Sequence, residues 1–365
     1  MSWLTWPMAG MVSSMHALQR SMMYVPHPIL NSPAQAGVPE MAETRLRTSD
    51  GLSLVNWYRM PEEGRPTVVY CHGNAGNIAT RAFKVRPFLD AGCGAILVGY
   101  RGYGGNPGSP SEEGLLEDAT TAVRFLTDSG VTTNRMVFYG ESLGSGVAVR
   151  LAADTRPGAL VVESGFTSTV DVALGNYWYL PVRQMMADRF DCVEHISRVK
   201  APVLLLHGEK DGVVPVDLGR KLFAAAREPK EAVFFPDGGH LDLPDHGSEH
   251  RIMDFVERTV GADAAAGALS RLAVEHRRHQ AIEGHQHALR SVAGQEGEGD
   301  RGEGGLAGVY EQSSDQSQGG PQDESPPVAD RRLARVGVLL DLFHAIPDDV
   351  APRPKESEHH RKNRK

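Results

Sequence analysis

The chain has 365 residues, 41% of them hydrophobic, with a formal net charge of −8 at pH 7. That length holds one large α/β domain or two medium ones, and the acidic balance argues against non-specific nucleic-acid binding as the main task. Three cysteines are too few for a disulfide framework, and no run nears the roughly 18 consecutive apolar residues of a membrane-crossing helix, so a cytoplasmic protein is expected.

Residues 1–40 read as a lead-in segment. Met1 to Ala17 is methionine-rich but lacks a basic start, and Pro7 interrupts its apolar stretch, so a signal peptide is not expected. Glu43–Thr48 and Leu52–Tyr58 then read as two strands joined by Ser49-Asp50-Gly51, whose Asp-Gly step supplies a tight hairpin turn. Beyond them, apolar β-branched runs occur at Thr67–Cys71, Ala95–Gly99, Met136–Tyr139, Ala159–Val162, Val203–Leu206 and Ala232–Phe235. Amphipathic stretches alternate with these runs at Ile78–Leu89, Glu113–Leu126, Leu143–Ala153, Asp217–Ala226 and Glu249–Val260. Buried strands separated by helices are the mark of βαβ units. Residues 41–260 are therefore expected to form one α/β domain with a mostly parallel twisted sheet, antiparallel at its start.

Composition changes near Gly261. Residues 1–260 hold 22 of the 24 aromatics, and the tail keeps only Tyr310 and Phe343. Too few large apolar side chains remain there to offset ordering entropy, so 261–365 reads as a disordered low-complexity tail. Inside it, Leu333, Val336, Leu340 and Phe343 recur at near-helical spacing, which marks a short amphipathic helix over Ala329–Ala345.

Gly140-Glu141-Ser142-Leu143-Gly144 fits G-x-S-x-G. The pattern is weak by frequency alone but sits between a strand-like and a helix-like segment, where it makes a sharp turn that lifts Ser142 above the strand ends. Side chains at 140 and 144 would meet neighbouring backbone, and Gly146 with Ala148 would let the helix approach the sheet. A serine needs a base to take its proton and an acid to orient that base. In this architecture they follow in the order serine, acid, histidine. Asp211 lies in the loop after Val203–Leu206, 69 residues beyond Ser142, and His240 follows Ala232–Phe235 after a further 29. Two N–H donors would serve the oxyanion: Leu143, next to the nucleophile, and Asn74 in the loop His72-Gly73-Asn74-Ala75-Gly76-Asn77, with Ala75 the weaker candidate. Glu141 is assigned no role, and His207 reads as a strand-end structural histidine.

Together with Gly99-Tyr-Arg-Gly-Tyr-Gly104, Ser111-Glu-Glu-Gly114, Val182–Phe190 and His207-Gly-Glu-Lys-Asp211, these motifs resemble the small-cap branch of the α/β-hydrolase domain-containing proteins, which includes depalmitoylases. The resemblance covers about Leu18 to Val260. It implies cleavage of carboxylic esters or thioesters of small molecules or acylated proteins by a serine hydrolase with no cofactor. Members of that branch usually open on a hydrophobic anchoring segment, and many depalmitoylases on a cysteine cluster; neither is read in residues 1–40. Peripheral membrane contact stays open.

About 35 residues, 165–200, are left for a small lid. Its Tyr177, Trp178, Tyr179, Leu180, Met185, Met186 and Phe190 either line an acyl pocket, with Tyr177, Trp178 and Leu180 as substrate contacts, or pack the lid onto the body. Two further patterns are set aside. His246-x-x-Glu249-His250 matches an inverted zinc-protease motif, but Gly247 and Ser248 suit a helix start better than its interior. Gly102–Gly108 resembles a phosphate loop, yet Pro107 occupies the third glycine's place, so it reads as a turn at the site's edge. Two other functions compete. An aminopeptidase or amidase would need a free carboxylate near the cleft, for which Glu141 and Glu163 are the candidates. A non-catalytic binding protein could use the same fold.

Overall fold

The computed structural model describes residues 15–261. The expected tail disorder and the helix at Ala329–Ala345 fall outside the described residues. Eight strands form the central sheet: β1 (Ala42–Arg47), β2 (Ser53–Arg59), β3 (Thr67–Cys71), β4 (Gly94–Leu97), β5 (Met136–Glu141), β6 (Ala159–Glu163), β7 (Val203–Gly208) and β8 (Lys230–Phe235). Their spatial order is β8-β7-β6-β5-β3-β4-β2-β1. The β1–β2 hairpin and the β2–β4 pair are antiparallel, and all other pairs are parallel, as expected from the sequence.

The strands from β3 to β7 are buried along their whole length, which explains their nearly unbroken apolar sequences. Alternate residues feed opposite faces: Val69 and Cys71 join one core cluster, Val68 and Tyr70 the other. On the first face pack α1 (Glu112–Asp128), α2 (Leu143–Thr155) and, after the lid helix α3 (Thr169–Asn176), α4 (Val216–Ala225). On the second lie α5 (Ser248–Val260), through Ile252, Phe255 and Val256, and the segment after β3. All three cysteines are buried free thiols.

Two expectations are corrected. Ile78–Leu89 is not one amphipathic α-helix; a 3₁₀ stretch at Ala79–Val85 hands over to a short helix at Arg86–Asp90. Pro87 is the reason, because it has no N–H to bond back and is tolerated only in a helix's first turn. Gly146 does not bring α2 to the sheet. A Cβ there would lie 2.7 Å from the Phe190 ring, whereas Gly144 faces the Cys71 carbonyl and Ala148 faces Gly140. Residues 144 and 148 share a helix face, and 146 points away from it.

Residues 15–23 are helical, and Val25–Pro26 then pairs in parallel with Ala75–Gly76. The lead-in is thereby laid along the loop that follows β3. It also holds the lid: Arg20 clasps Asp188 at 2.8 and 3.0 Å, and the Tyr24 hydroxyl reaches the same carboxylate at 3.1 Å.

Candidate active site

Ser142 sits between β5 and α2 with φ 51° and ψ −120°, a conformation that a residue bearing a Cβ enters only under strain. The turn closes because its glycines admit backbone. A Cβ on Gly144 would come within 2.0 Å of the Cys71 carbonyl oxygen, and one on Gly140 within 2.4 Å of the Gly144 oxygen. The Ser142 N–H donates to the Glu163 carbonyl at 2.9 Å, which ties the turn to the end of β6.

Asp211 and His240 arrive from the neighbouring strand ends. The Asp211 Oδ1 accepts the N–H groups of Val213 and Val214, both at 2.8 Å, which bends the chain around the carboxylate. Gly208 lets the loop after β8 pass close, since a Cβ there would lie 2.3 Å from the Gly238 and Gly239 oxygens. His240 Nδ1 lies 2.7 Å from Asp211 Oδ2, and its Nε2 lies 2.9 Å from Ser142 Oγ. In this network Nδ1–H donates to the carboxylate, leaving Nε2 to accept the serine proton. The chain of hydrogen bonds therefore runs unbroken from hydroxyl to carboxylate.

Burial alone would raise the Asp211 carboxyl. Hydrogen bonds from His207 and His240, the charge of His240 and the Val214 N–H outweigh it and hold the group well below the usual carboxylate range. The sequence marks His207 only as a strand-end structural histidine. It is fully buried, with Nε2 donating to Val214 O at 2.9 Å and 3.4 Å from Asp211 Oδ2, so it braces the turn that presents the acid.

Asn74 and Leu143 flank the serine from two sides. Leu143 opens α2, so its N–H has no acceptor one turn earlier in the helix. The Asn74 carbonyl accepts from Val25 N at 3.0 Å and from the Tyr103 hydroxyl at 2.8 Å, while its side-chain amide donates to Met23 O at 3.1 Å. Among the described residues nothing accepts from the Asn74 N–H. A Cβ on its neighbour Gly73 would lie 3.5 Å from the Ser142 Cβ, so this loop passes directly over the serine. Tyr103, from the glycine-rich turn, thus buttresses the loop. His72 is buried against Tyr100 and Tyr103, and burial lowers its imidazole to about 4, so it is neutral.

The largest feature missed from sequence is a buried charge cluster beneath the serine. Glu141 and Glu163 are register partners on β5 and β6, a like-charge pair that costs free energy unless cations join it. Arg81 Nε lies 2.9 Å from Glu141 Oε1, and Lys84 Nζ lies 2.5 Å from Glu163 Oε1 and 3.7 Å from Glu141 Oε2. The Tyr70 hydroxyl donates to Glu141 Oε2 at 2.7 Å, and the Tyr139 hydroxyl donates to Glu163 Oε2. Burial acts to raise the Glu141 carboxyl, but Arg81, Lys84 and Tyr70 hold it at about 2. A signal existed: two glutamates ending apolar strands, with Arg81 and Lys84 three residues apart.

Trp178, Tyr179 and Leu180 of the lid do not pack inward. Trp178 is 69% exposed, Tyr179 61% and Leu180 40%, with the two rings edge to face at 6.0 Å. Tyr177 is half-buried and Phe190 is buried against Gly146. His246 lies on a separate 3₁₀ turn, and Gly247, at φ 83°, divides it from the helix that carries His250.

Fold and site together define an α/β-hydrolase. Residues 111–262 match the prolyl oligopeptidase family. Over 262 residues the chain is 38% identical to an uncharacterized protein of Mycobacterium tuberculosis, covering 71% of this chain and 93% of that one. It is 32% identical over 268 residues to the α/β-hydrolase domain-containing protein WAV2 of Arabidopsis thaliana, covering 65% and 86%. Its fold is similar to that of an esterase from Pyrococcus furiosus, with a TM-score of 0.55 at 19% identity over 66% of this chain and 98% of that one. The chain belongs to the family of α/β-hydrolase domain-containing proteins.

Proposed function

We propose that this protein hydrolyses carboxylic esters or thioesters through an acyl-Ser142 intermediate. The observation that carries the reading is the chain of hydrogen bonds from Ser142 through His240 to Asp211. Ser142 Oγ attacks the acyl carbonyl as His240 Nε2 takes its proton, and Asp211 stabilises the imidazolium. The carbonyl oxygen, now negative, accepts from the Leu143 and Asn74 N–H groups. As the carbonyl re-forms, the alcohol or thiol leaves with the proton from Nε2. Water then repeats the sequence on the acyl-enzyme and frees Ser142.

Apolar side chains beside this trio favour an apolar acyl group. Leu241 follows His240 directly, Val213 lies two residues beyond Asp211, and both are exposed, as are Trp178 and Leu180 in the lid. The match of 111–262 to the prolyl oligopeptidase family favours a second reading, amide cleavage. We place it second because Glu141 and Glu163, the carboxylates nearest the serine in sequence and sheet register, are buried and already bound to Arg81 and Lys84. Neither is free to hold a substrate ammonium.

The test is fluorophosphonate labelling read by intact mass on the full chain and on Ser142→Ala, followed by a panel of p-nitrophenyl esters, acyl thioesters and aminoacyl amides. One adduct on the wild type, none on the variant, and turnover confined to esters and thioesters is expected. Faster cleavage of the amides would move the assignment to the second reading. A folded wild type that takes no adduct would refute both.

A further inference from the structure

Glu141 touches the site from a direction that the hydrolytic steps do not use. Its backbone ends β5 and delivers Ser142, while its side chain turns under the loop His72–Asn77. The two partners of that side chain bracket the loop. Tyr70 precedes its first residue by two positions and bonds Glu141 Oε2 at 2.7 Å; Arg81 follows its last by four and bonds Glu141 Oε1 at 2.9 Å. Between them, a Cβ on Gly73 would lie 3.4 Å from Glu141 Oε1. One carboxylate therefore grips both ends of the loop that carries Asn74.

We propose that Glu141 is a positioning residue that holds the Asn74 loop in register with the Ser142 turn, so that the two N–H donors from separate segments converge on one oxyanion. The inference rests on the hydrolase reading above and assigns Glu141 a task within it. Geometry makes the task specific. Leu143 is fixed to the serine covalently, but Asn74 reaches the same point from β3: Val25, Met23 and Tyr103 hold it from outside, and contacts between the two segments set its spacing from the serine. The β3–β5 ladder as far as Cys71 and Gly140 and the approach of Gly144 to the Cys71 carbonyl are two such contacts, and the Glu141 grip is the side-chain one that reaches past the strand ends. Lys84 and Glu163 complete the cluster, two carboxylates with two cations, so no net charge is added beneath the oxyanion. A donor displaced by a fraction of an ångström loses much of its effect on the transition state and little on substrate binding.

The experiment measures kcat and KM for a short-chain p-nitrophenyl ester, with the rate of fluorophosphonate labelling, on the full chain and on Glu141→Gln, Arg81→Met, Arg81→Lys and Tyr70→Phe. Circular dichroism checks each fold. Glu141→Gln and Arg81→Met are expected to lose about 10- to 100-fold in kcat with KM within about twofold, and labelling is expected to slow in parallel. Arg81→Lys should recover most of that loss by keeping the cation. Tyr70→Phe removes only a hydroxyl and serves if the charge variants fail to fold; it should lower kcat by about 3- to 10-fold. Wild-type kcat in a folded Tyr70→Phe or Glu141→Gln protein would overturn the proposal. So would opposite signs, Glu141→Gln faster and Arg81→Met slower, because the cluster would then act through net charge and not through placement. A wild type that resists the probe would instead sink the hydrolase reading itself.

Discussion

The floor of the site and the lid beside it are built in opposite ways. On the floor, both carboxylate oxygens of Glu141, Glu163 and Asp211 meet donors, and the three carboxylates are buried together with Tyr70, Lys84 and Tyr139. In the lid, Trp178 and Tyr179 are exposed, their rings edge to face. Strand ends thus fix the chemistry, where a small displacement is costly. On the proposed reading, selectivity falls to the exposed side chains of the lid, which can change without disturbing the sheet.

The contrast is broken most severely by disarming the floor while leaving its shape. Asp211→Asn is expected to lower kcat by about 10⁴-fold with little change in KM, because the amide no longer favours the tautomer that leaves His240 Nε2 free to accept. Steady-state kinetics on an ester checks this. A loss below about tenfold would mean that His207 and the Val213–Val214 turn, not the carboxylate charge, keep His240 in place.

The buried cluster also gives the floor an acid limit. The Glu141 carboxyl sits at about 2 against an ordinary 4.5. A depressed carboxyl adds stability that is complete above its unfolded value and disappears as pH falls through its folded value, here between about 4.5 and 2. The size is on the order of 3 kcal/mol. Urea unfolding midpoints measured from pH 6 downward should therefore drop less steeply in Glu141→Gln than in the wild type. Equal slopes would place the acid sensitivity in Asp211 instead, whose carboxyl is also depressed.

Two glycines of α2 sharpen the same comparison. Propensity alone favours alanine over glycine in a helix by about 1 kcal/mol at either position. Gly144→Ala forces a Cβ to within 2.0 Å of a carbonyl oxygen on the floor and is expected to destabilise the protein by several kcal/mol or prevent folding. Gly146→Ala meets Phe190 side-chain atoms, the ring at 2.7 Å and its Cβ at 3.0 Å, on the lid's return path and not the backbone of the sheet. Its thermal midpoint is expected within a few degrees of wild type. Equal losses from the two would mean that the lid is packed as rigidly as the floor.

What could be read from sequence follows the same division. The parallel sheet, the turn at Ser142 and the presentation of Asp211 and His240 were legible because each depends on local signals: a β-branched run, a glycine that backbone contact demands, a loop placed after a strand. The helix expected over Ile78–Leu89 fails at Pro87, which is itself a local signal. The Glu141 cluster was not legible in the same way. It joins residues 70, 81, 84, 139, 141 and 163 through strand adjacency, and β3 lies between β4 and β5 only once the crossovers are known. The lead-in was unreadable for a related reason, since its bonds to Asn74 and Asp188 span 49 residues or more.

The mildest perturbation tests whether the exposed lid aromatics meet substrate at all. Large apolar side chains left in water cost free energy, and a lid that needed them only for packing would bury them. If they receive the acyl chain, Trp178→Ala should raise KM several-fold for a long-chain ester, roughly what losing part of one apolar contact is worth, and leave kcat and the turnover of an acetyl ester unchanged. The split between chain lengths is the informative quantity, because damage to the floor would slow both substrates alike. An equal effect on acetyl and long-chain esters would show that Trp178 supports the site's shape. No effect on either would leave the apolar rim to Leu241 and Val213, which stand beside His240 and Asp211 on the rigid side of the site.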